Sequence, residues 1–200
     1  MADDHPVVRE GLVASLNRVE DMSVVAEAGT GAEAVDLFSK SLPDVSLVDL
    51  RMPVMDGVDA IMAMRERDAD ARIIILTTYE GDEDVYRGLR AGARAYLLKD
   101  TGLEELIDCI RIVHGGKIYI PPSIGAKLAD RMKVPELSTR ELEVLSLMAG
   151  GKSNKEIGAT LFVSEGTVKG HVNHILAKLG ANGRTEATRI AIKRGLVRTD

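Results

Sequence analysis

Cysteine is almost absent from this chain of 200 residues. Cys109 stands alone, so no internal disulfide can form, and a reducing compartment suits the chain. Long apolar runs are missing as well. No stretch approaches the roughly 20 residues of a membrane-spanning helix, so no membrane partner is expected. The opening residues, Met1-Ala2-Asp3-Asp4-His5-Pro6, are acidic and lack the apolar segment of a secretory signal, which points to a cytoplasmic protein. No internal repeat or low-complexity segment is visible. What is present suits compact folding: 45% hydrophobic and 28% charged residues, in a length that allows one large or two small domains.

The net charge of -5 hides an asymmetry. Residues 1–120 carry 13 Lys and Arg against 23 Asp and Glu, whereas residues 121–200 carry 13 against 8. An acidic half followed by a basic half suggests that only the second approaches a polyanion.

The hydrophobic pattern divides the chain in the same place. Helical patterns at 6–19, 32–41, 58–67, 82–91 and 103–114 alternate with strand-like runs at 22–28, 44–49, 72–77 and 94–98. Such alternation implies a parallel sheet covered on both faces. Gly115-Gly116 and Pro121-Pro122 interrupt it, residues 123–132 could form a short linker helix, and from Ser138 onward every pattern is helical. Ser138 and Ser153 each precede a Glu by three residues, giving two capping boxes; Ser164 is a third N-cap, with Thr167 in place of the Glu. A last helix is expected over 185–194, with Ala187, Ile190 and Ala191 on one face.

The most informative stretch is Val45-Ser46-Leu47-Val48-Asp49-Leu50-Arg51-Met52-Pro53-Val54-Met55-Asp56-Gly57. An apolar run ends in one carboxylate and breaks at Pro53 and Asp56-Gly57, which reads as a buried strand and a turn. The carboxyl ends of strands are where open α/β sheets keep their ligand sites. Asp3-Asp4 lies upstream; Thr77 follows Ile73-Ile74-Ile75-Leu76, and Lys99 follows Tyr96-Leu97-Leu98. Singly, these are a turn former, an N-cap pair ahead of Pro6, a strand threonine and a surface lysine. Together, at successive strand ends, they resemble the receiver domain of two-component response regulators.

That resemblance implies a flavodoxin-like α/β fold and a phosphoryl group accepted on Asp49 from a sensor histidine kinase. It implies Mg²⁺ held by Asp4, Asp49 and the backbone carbonyl of Arg51, with Asp3 orienting a metal-bound water. Lys99 would pair with the phosphoryl group, the Thr77 hydroxyl would bond to it, and Tyr96 would follow Thr77 inward as the switch. The receiver pattern opens with an apolar strand, central in the order 2-1-3-4-5, yet only Met1 and Ala2 precede Asp3. The first strand is therefore expected to be truncated, leaving two neighbours without their shared partner; residues upstream of Met1 are favoured over a distorted sheet.

In the second half, Leu137-Ser138-Thr139-Arg140-Glu141-Leu142-Glu143-Val144-Leu145, then Ser153-Asn154-Lys155-Glu156-Ile157, then Val163-Ser164-Glu165-Gly166-Thr167-Val168-Lys169-Gly170-His171-Val172 resemble the LuxR/NarL-type helix-turn-helix output domain, all-α and bound to double-stranded DNA. The helix after Ser164 would be the recognition helix, with Lys169, Gly170 and Asn173 facing base edges. Lys155, Thr167, His171 and Lys178 would touch the DNA backbone, with His174 in the same cluster. Gly170 departs from the larger residue many relatives carry, removing a contact to thymine methyls. His171 and His174 could share a metal by spacing, but no Cys or acidic partner lies nearby. In relatives the last helix pairs two output domains, so an active homodimer is expected.

The sequence reading is thus a transcriptional response regulator: receiver at 1–116, linker at 117–136, helix-turn-helix domain at 137–200. One alternative is a regulator with an impaired receiver that acts through phosphorylation-independent dimerisation. A weaker one is an Asp-nucleophile phosphatase, which needs a second Asp two residues beyond the first; position 51 is Arg, so only self-phosphorylation and slow self-dephosphorylation are expected.

Overall fold

Three buried aliphatic runs form the parallel sheet at the heart of the first half: β1 (Ser46–Val48), β2 (Ile73–Thr77) and β3 (Ala95–Leu98), in the order β1-β2-β3. Their residues carry apolar side chains on both faces, as a parallel sheet covered on both sides requires. The register pairs Ser46 with Ile73, and Ile74 with Ala95. The computed structural model describes residues 1–79, 81–133, 135–194 and 196–197, with only the backbone of Lys193. Val134, at the expected entrance to the second domain, lies outside the described residues.

The helices α1 (Pro6–Leu16), α2 (Gly31–Ser41), α3 (Gly57–Arg67), α4 (Asp82–Arg90) and α5 (Leu103–His114) separate or flank the strands. Local chemistry sets their ends. Thr30 caps α2 and Asp56 caps α3, each accepting a backbone N–H three residues on, which meets one of the orphan donors of the first turn. Pro6 opens α1, where its missing N–H costs nothing. Leu106, Cys109 and Val113 of α5 pack with Leu16, Ile74, Ala95 and Leu97 in one core. Cys109 is fully buried there, and burial pushes its thiol pKa up to about 12, which removes thiolate reactivity.

The amino-terminal strand is where expectation needs correction. Residues 22–28 form no strand ladder, only a bridge at Ala28, and the first strand is reduced to a bridge at Ala2. Yet its neighbours do share a partner. Ala2 bridges both Ala28 and Val48 in parallel sense, through Ala2 N–H to Leu47 O at 2.9 Å, Asp49 N–H to Ala2 O at 2.9 Å and Asp3 N–H to Ala28 O at 3.0 Å. Ala2 reaches both because a strand residue offers groups to both sides. The Met1 ammonium bonds the Ala26 carbonyl at 2.7 Å, and burial lowers its pKa.

The chain divides into two compact units, Met1–Glu80 with Val85–Ala126, and Gly81–Asp84 with Lys127–Asp200. The second unit holds α6 (Pro122–Met132) for most of its length, then α7 (Thr139–Ala149), α8 (Asn154–Leu161), α9 (Glu165–Leu179) and α10 (Arg184–Lys193). Both capping boxes form, Ser138 with Glu141 and Ser153 with Glu156, and Ser164 caps α9. Val144, Leu145, Ile157, Val168, Ile175 and Ala187 make a separate core. The turn between α8 and α9 depends on Gly158: a Cβ there would stand 2.7 Å from the Val163 carbonyl oxygen. No helix among the described residues is long and apolar enough to cross a membrane.

Candidate functional site

Four of the expected pocket residues meet at the carboxyl ends of the strands. Asp49 follows β1 and is 2% exposed; Asp3 follows the Ala2 bridge and is 1% exposed. Two carboxylates buried side by side need a cation, and Lys99, just after β3, supplies it. Its ammonium stands 2.5 Å from Asp49 Oδ2, and 2.9 and 2.8 Å from the two oxygens of Asp3. Burial alone would lower the Lys99 pKa, but hydrogen bonds and charge from Asp3 and Asp49 outweigh it and raise it. Lys99 N–H also bonds the Thr77 carbonyl at 2.8 Å, so the β2 and β3 ends share one backbone link.

Asp4 is half-exposed beside this pair. Asp3, Asp4, His5 and Asp49 place one ligand atom each within 4.8 Å of one another. Asp3 Oδ2 and Asp4 Oδ1 are buried without a hydrogen bond; Lys99 Nζ lies 2.8 Å from the first and His5 Nδ1 2.7 Å from the second. Hard carboxylate oxygens with lone pairs to spare suit Mg²⁺, so these residues fit the ion that the sequence reading implies. His5 was not expected in the group; its place directly after Asp3-Asp4 was the available signal.

Thr77 and Tyr96, the pair expected to form the switch, are both linked to Tyr79. Thr77 and Tyr96 are fully buried. The Tyr96 hydroxyl donates to the Tyr79 carbonyl at 2.7 Å, and Tyr79 N–H donates to Thr77 Oγ1 at 3.4 Å. The Tyr79 ring stacks under the Arg51 guanidinium, 4.5 Å from its centroid. Tyr79 was missed, although it follows Thr77-Thr78 directly.

The loop after Asp49 is shaped by two backbone features. Gly57 lets α3 press on it, since a Cβ there would lie 2.1 Å from the Asp49 carbonyl oxygen. Val54 has φ 70 and is 90% exposed, with Met55 N–H closing onto the Pro53 carbonyl at 2.8 Å. A β-branched residue at the tip of such a three-residue turn is strained.

Residues 1–111 match the family described as "Response regulator receiver domain", and residues 135–191 match "Bacterial regulatory proteins, luxR family". The chain belongs to the LuxR-type response regulators. It is 46% identical over 205 residues to the transcriptional regulatory protein YhcZ of Bacillus subtilis (strain 168), covering 98% of this chain and 95% of the relative. It is 40% identical over 205 residues to the transcriptional regulatory protein LiaR of the same organism, covering 98% and 97%. Among solved structures, the response regulator ChrA of a heme-sensing two-component system shares 37% identity with TM-score 0.58 over 98% of this chain and 96% of that one. RcsB of Salmonella enterica serovar Typhimurium, bound to promoter P1flhDC, shares 26% identity with TM-score 0.72 over 97% and 96%.

In this LuxR-type regulator the helix-turn-helix motif is α8 and α9. Val168, Ile175 and Leu179 bury one face of α9, which leaves Lys169, Gly170 and Asn173 exposed on the opposite face, as helical spacing requires. Thr167, His174 and Lys155 are exposed too, whereas His171 and Lys178 are half-buried. Some of these groups have work inside the fold. Lys178 donates to Glu141 Oε2 at 2.7 Å and to the Glu136 carbonyl at 2.9 Å. The Thr167 hydroxyl lies 2.8 Å from Ser164 Oγ, and Lys169 lies 3.1 Å from Glu165. Burial alone would raise the Glu141 pKa, but bonds from Lys178 and Ser138 hold it below the usual value. Arg184, unforeseen, ties α10 to the α7–α8 turn through the carbonyls of Met148 and Lys152 and the side chain of Asn154. His171 and His174 belong to no metal-capable group of three among the described residues.

Proposed function

We propose that the regulator is a phosphorylation-controlled switch in the cytoplasm, with a receiver at 1–116, a linker at 117–136 and a DNA-binding domain at 137–200. A sensor histidine kinase is the donor. An Asp49 carboxylate oxygen attacks phosphorus, the P–N bond to the kinase histidine breaks, and its electron pair returns to the imidazole. Mg²⁺ would be held by Asp4, Asp49 and the Arg51 carbonyl, with Asp3 orienting a bound water. When bound, the ion neutralises charge on the phosphoryl oxygens. Lys99 leaves Asp49 to pair with the new phosphoryl group, and the Thr77 hydroxyl donates to it. A phosphoryl group adds roughly two negative charges. The bonds from Thr77 and Tyr96 to Tyr79 carry that change away from the pocket.

The observation that carries this reading is the Lys99 ammonium within 2.5–2.9 Å of both buried carboxylates: a movable cation already sits at the nucleophile. DNA binding is supported by the basic second half, by the exposed face of Lys169, Gly170 and Asn173, and by the relative solved on its promoter. Lys155, Thr167, His171 and His174 would then meet phosphates. A homodimer is the active form, paired through α10. Arg51, stacked on Tyr79, offers no carboxylic acid, which disfavours a phosphatase.

The test is intact mass after incubation with acetyl phosphate. Wild type with Mg²⁺ gains one phosphoryl group; Asp49→Asn gains none, and neither does wild type with EDTA. Equal gain on wild type and Asp49→Asn would overturn the assignment. The second reading is control by dimerisation without phosphorylation. It predicts promoter binding unchanged by phosphoryl donor and by Asp49→Asn.

A further inference from the structure

Helix α9 carries an acid in its DNA-facing row. Glu165, Lys169 and Asn173 follow one another at four-residue steps, which sets them along one line of the helix surface, and all three are exposed. Lys169 and Asn173 belong to the face assigned above to base edges. The row therefore brings Glu165 to the groove as well, at the end of the helix that enters it. A carboxylate approaching a polyanion is unfavourable by itself. Its place in the first turn suits the helix dipole, a role any carboxylate of that turn could fill. What is particular to Glu165 is its partner: Oε1 stands 3.1 Å from Lys169 Nζ, with the two side chains 49% and 63% exposed. In water such a pair is weak. In a groove that excludes water it becomes a fixed donor beside a fixed acceptor.

The flank of this row is bare. Nothing stands within 4 Å of a Cβ placed on Gly170, and a Cβ on Gly166 meets only Ser164 Oγ, at 3.7 Å. With no side chains there, the helix can seat close enough to the groove floor for Lys169 and Glu165 to reach one base pair. The edge of a G·C pair matches them. Guanine O6 accepts and cytosine N4 donates; the two are bonded to each other at about 2.9 Å, and each keeps a lone pair or a hydrogen facing the major groove. Lys169 and Glu165 offer the complementary donor and acceptor at nearly the same spacing.

We propose that Glu165 is a specificity-determining residue that reads one G·C pair jointly with Lys169: the ammonium donates to guanine O6 while the carboxylate accepts from cytosine N4–H. A reversed C·G pair sets ammonium against amino group and carboxylate against carbonyl. A T·A pair keeps the order of acceptor and donor, but a methyl group replaces guanine N7, the second acceptor open to the ammonium. The inference rests on the DNA-binding reading above and adds to it the base pair and the acid that reads it.

The probe is a library of random duplexes, selected by the full chain and sequenced. Wild type should enrich a motif containing a G·C pair whose preference over C·G falls about tenfold in Glu165→Ala. Lys169→Ala should lose preference at that same pair, and Asn173→Ala at a different one. Glu165→Asp keeps the first-turn charge and should melt like wild type, yet its carboxylate is shorter by one methylene and should lose the preference too. That variant separates base reading from helix stability. The selected duplex is then remade with N4-methylcytosine at that pair, which still pairs with guanine but turns a methyl group toward the major groove. Anisotropy titrations should show wild-type binding weakened about tenfold and Glu165→Ala binding unchanged. Preference retained in Glu165→Ala, loss of preference at different pairs in Glu165→Ala and Lys169→Ala, or equal sensitivity of wild type and Glu165→Ala to N4-methylation would each overturn the inference and leave DNA binding standing. A wild type that enriches no motif would overturn the DNA-binding reading and the inference with it.

Discussion

The two functional regions differ in how their residues are held. In the receiver pocket Asp3, Asp49 and Thr77 are at most 2% exposed, and each is tied to another member or to a strand end. On α9 of the output domain, Lys169 and Asn173 stand in solvent on a helix whose other face does the packing. A buried pocket is therefore a coupled unit, in which one deletion leaves an unbalanced charge behind. An exposed helix face is a row of nearly independent groups. Lys178 is the exception that sharpens the contrast, since it lies in the output domain but behaves like a pocket residue, bonded to buried Glu141.

The largest effect should come from Lys99→Met. It strands two buried carboxylates, and removing one partner of a buried ion pair costs about 3–5 kcal/mol. Urea unfolding in EDTA measures it. A loss no greater than that of Lys155→Ala would erase the contrast between the regions.

Next comes Lys178→Ala, which leaves Glu141 buried with one partner fewer, at about 1–3 kcal/mol. Lys155→Ala should stay within about 0.5 kcal/mol of wild type. Glu141 also gives a pH signature. Its folded pKa lies below the unfolded value, so the stabilisation is fully present above the unfolded carboxylate range. It fades as pH falls through the folded value. Melting curves from pH 7 downward should show that acid-dependent loss in wild type and a smaller one in Lys178→Ala.

Binding separates the exposed groups from one another. Asn173→Ala should change sequence preference, by about 1–3 kcal/mol at one base pair. Lys155→Ala should weaken all sequences alike and reduce the salt slope by about one. Electrophoretic titrations of the full chain at several salt concentrations distinguish these. An unaltered preference in Asn173→Ala would remove that residue from the base-reading face.

The smallest effect belongs to Gly170→Ala. Nothing lies within 4 Å of the position a Cβ would take, so the change should stabilise the output domain by about 1 kcal/mol through helix propensity alone. A destabilised variant would mean that the open space around Gly170 is misjudged.

The sequence by itself determined the elements that local chemistry fixes. The runs ending at Asp49, Thr77 and Lys99 are continuous and aliphatic, so their ends could be read and the pocket assembled on paper. Ser138 and Ser153 carry a Glu three residues on, and that spacing alone closes a capping box. The segment 22–28 reads as a strand but forms only the Ala28 bridge, because pairing depends on distant residues and not on the local pattern. Only the tertiary structure decided which charges find each other across the chain. Lys99 meets Asp3 from 96 residues away, and Lys178 meets Glu141 from 37. Nothing in the composition around Lys178 distinguishes it from Lys155. The same holds for the Tyr96 hydroxyl on the Tyr79 carbonyl and for Ala2 serving two neighbours at once. Periodicity and capping act over a few residues and are written locally, whereas the partner of a buried polar group is chosen by packing, where the whole fold brings two distant segments within 3 Å.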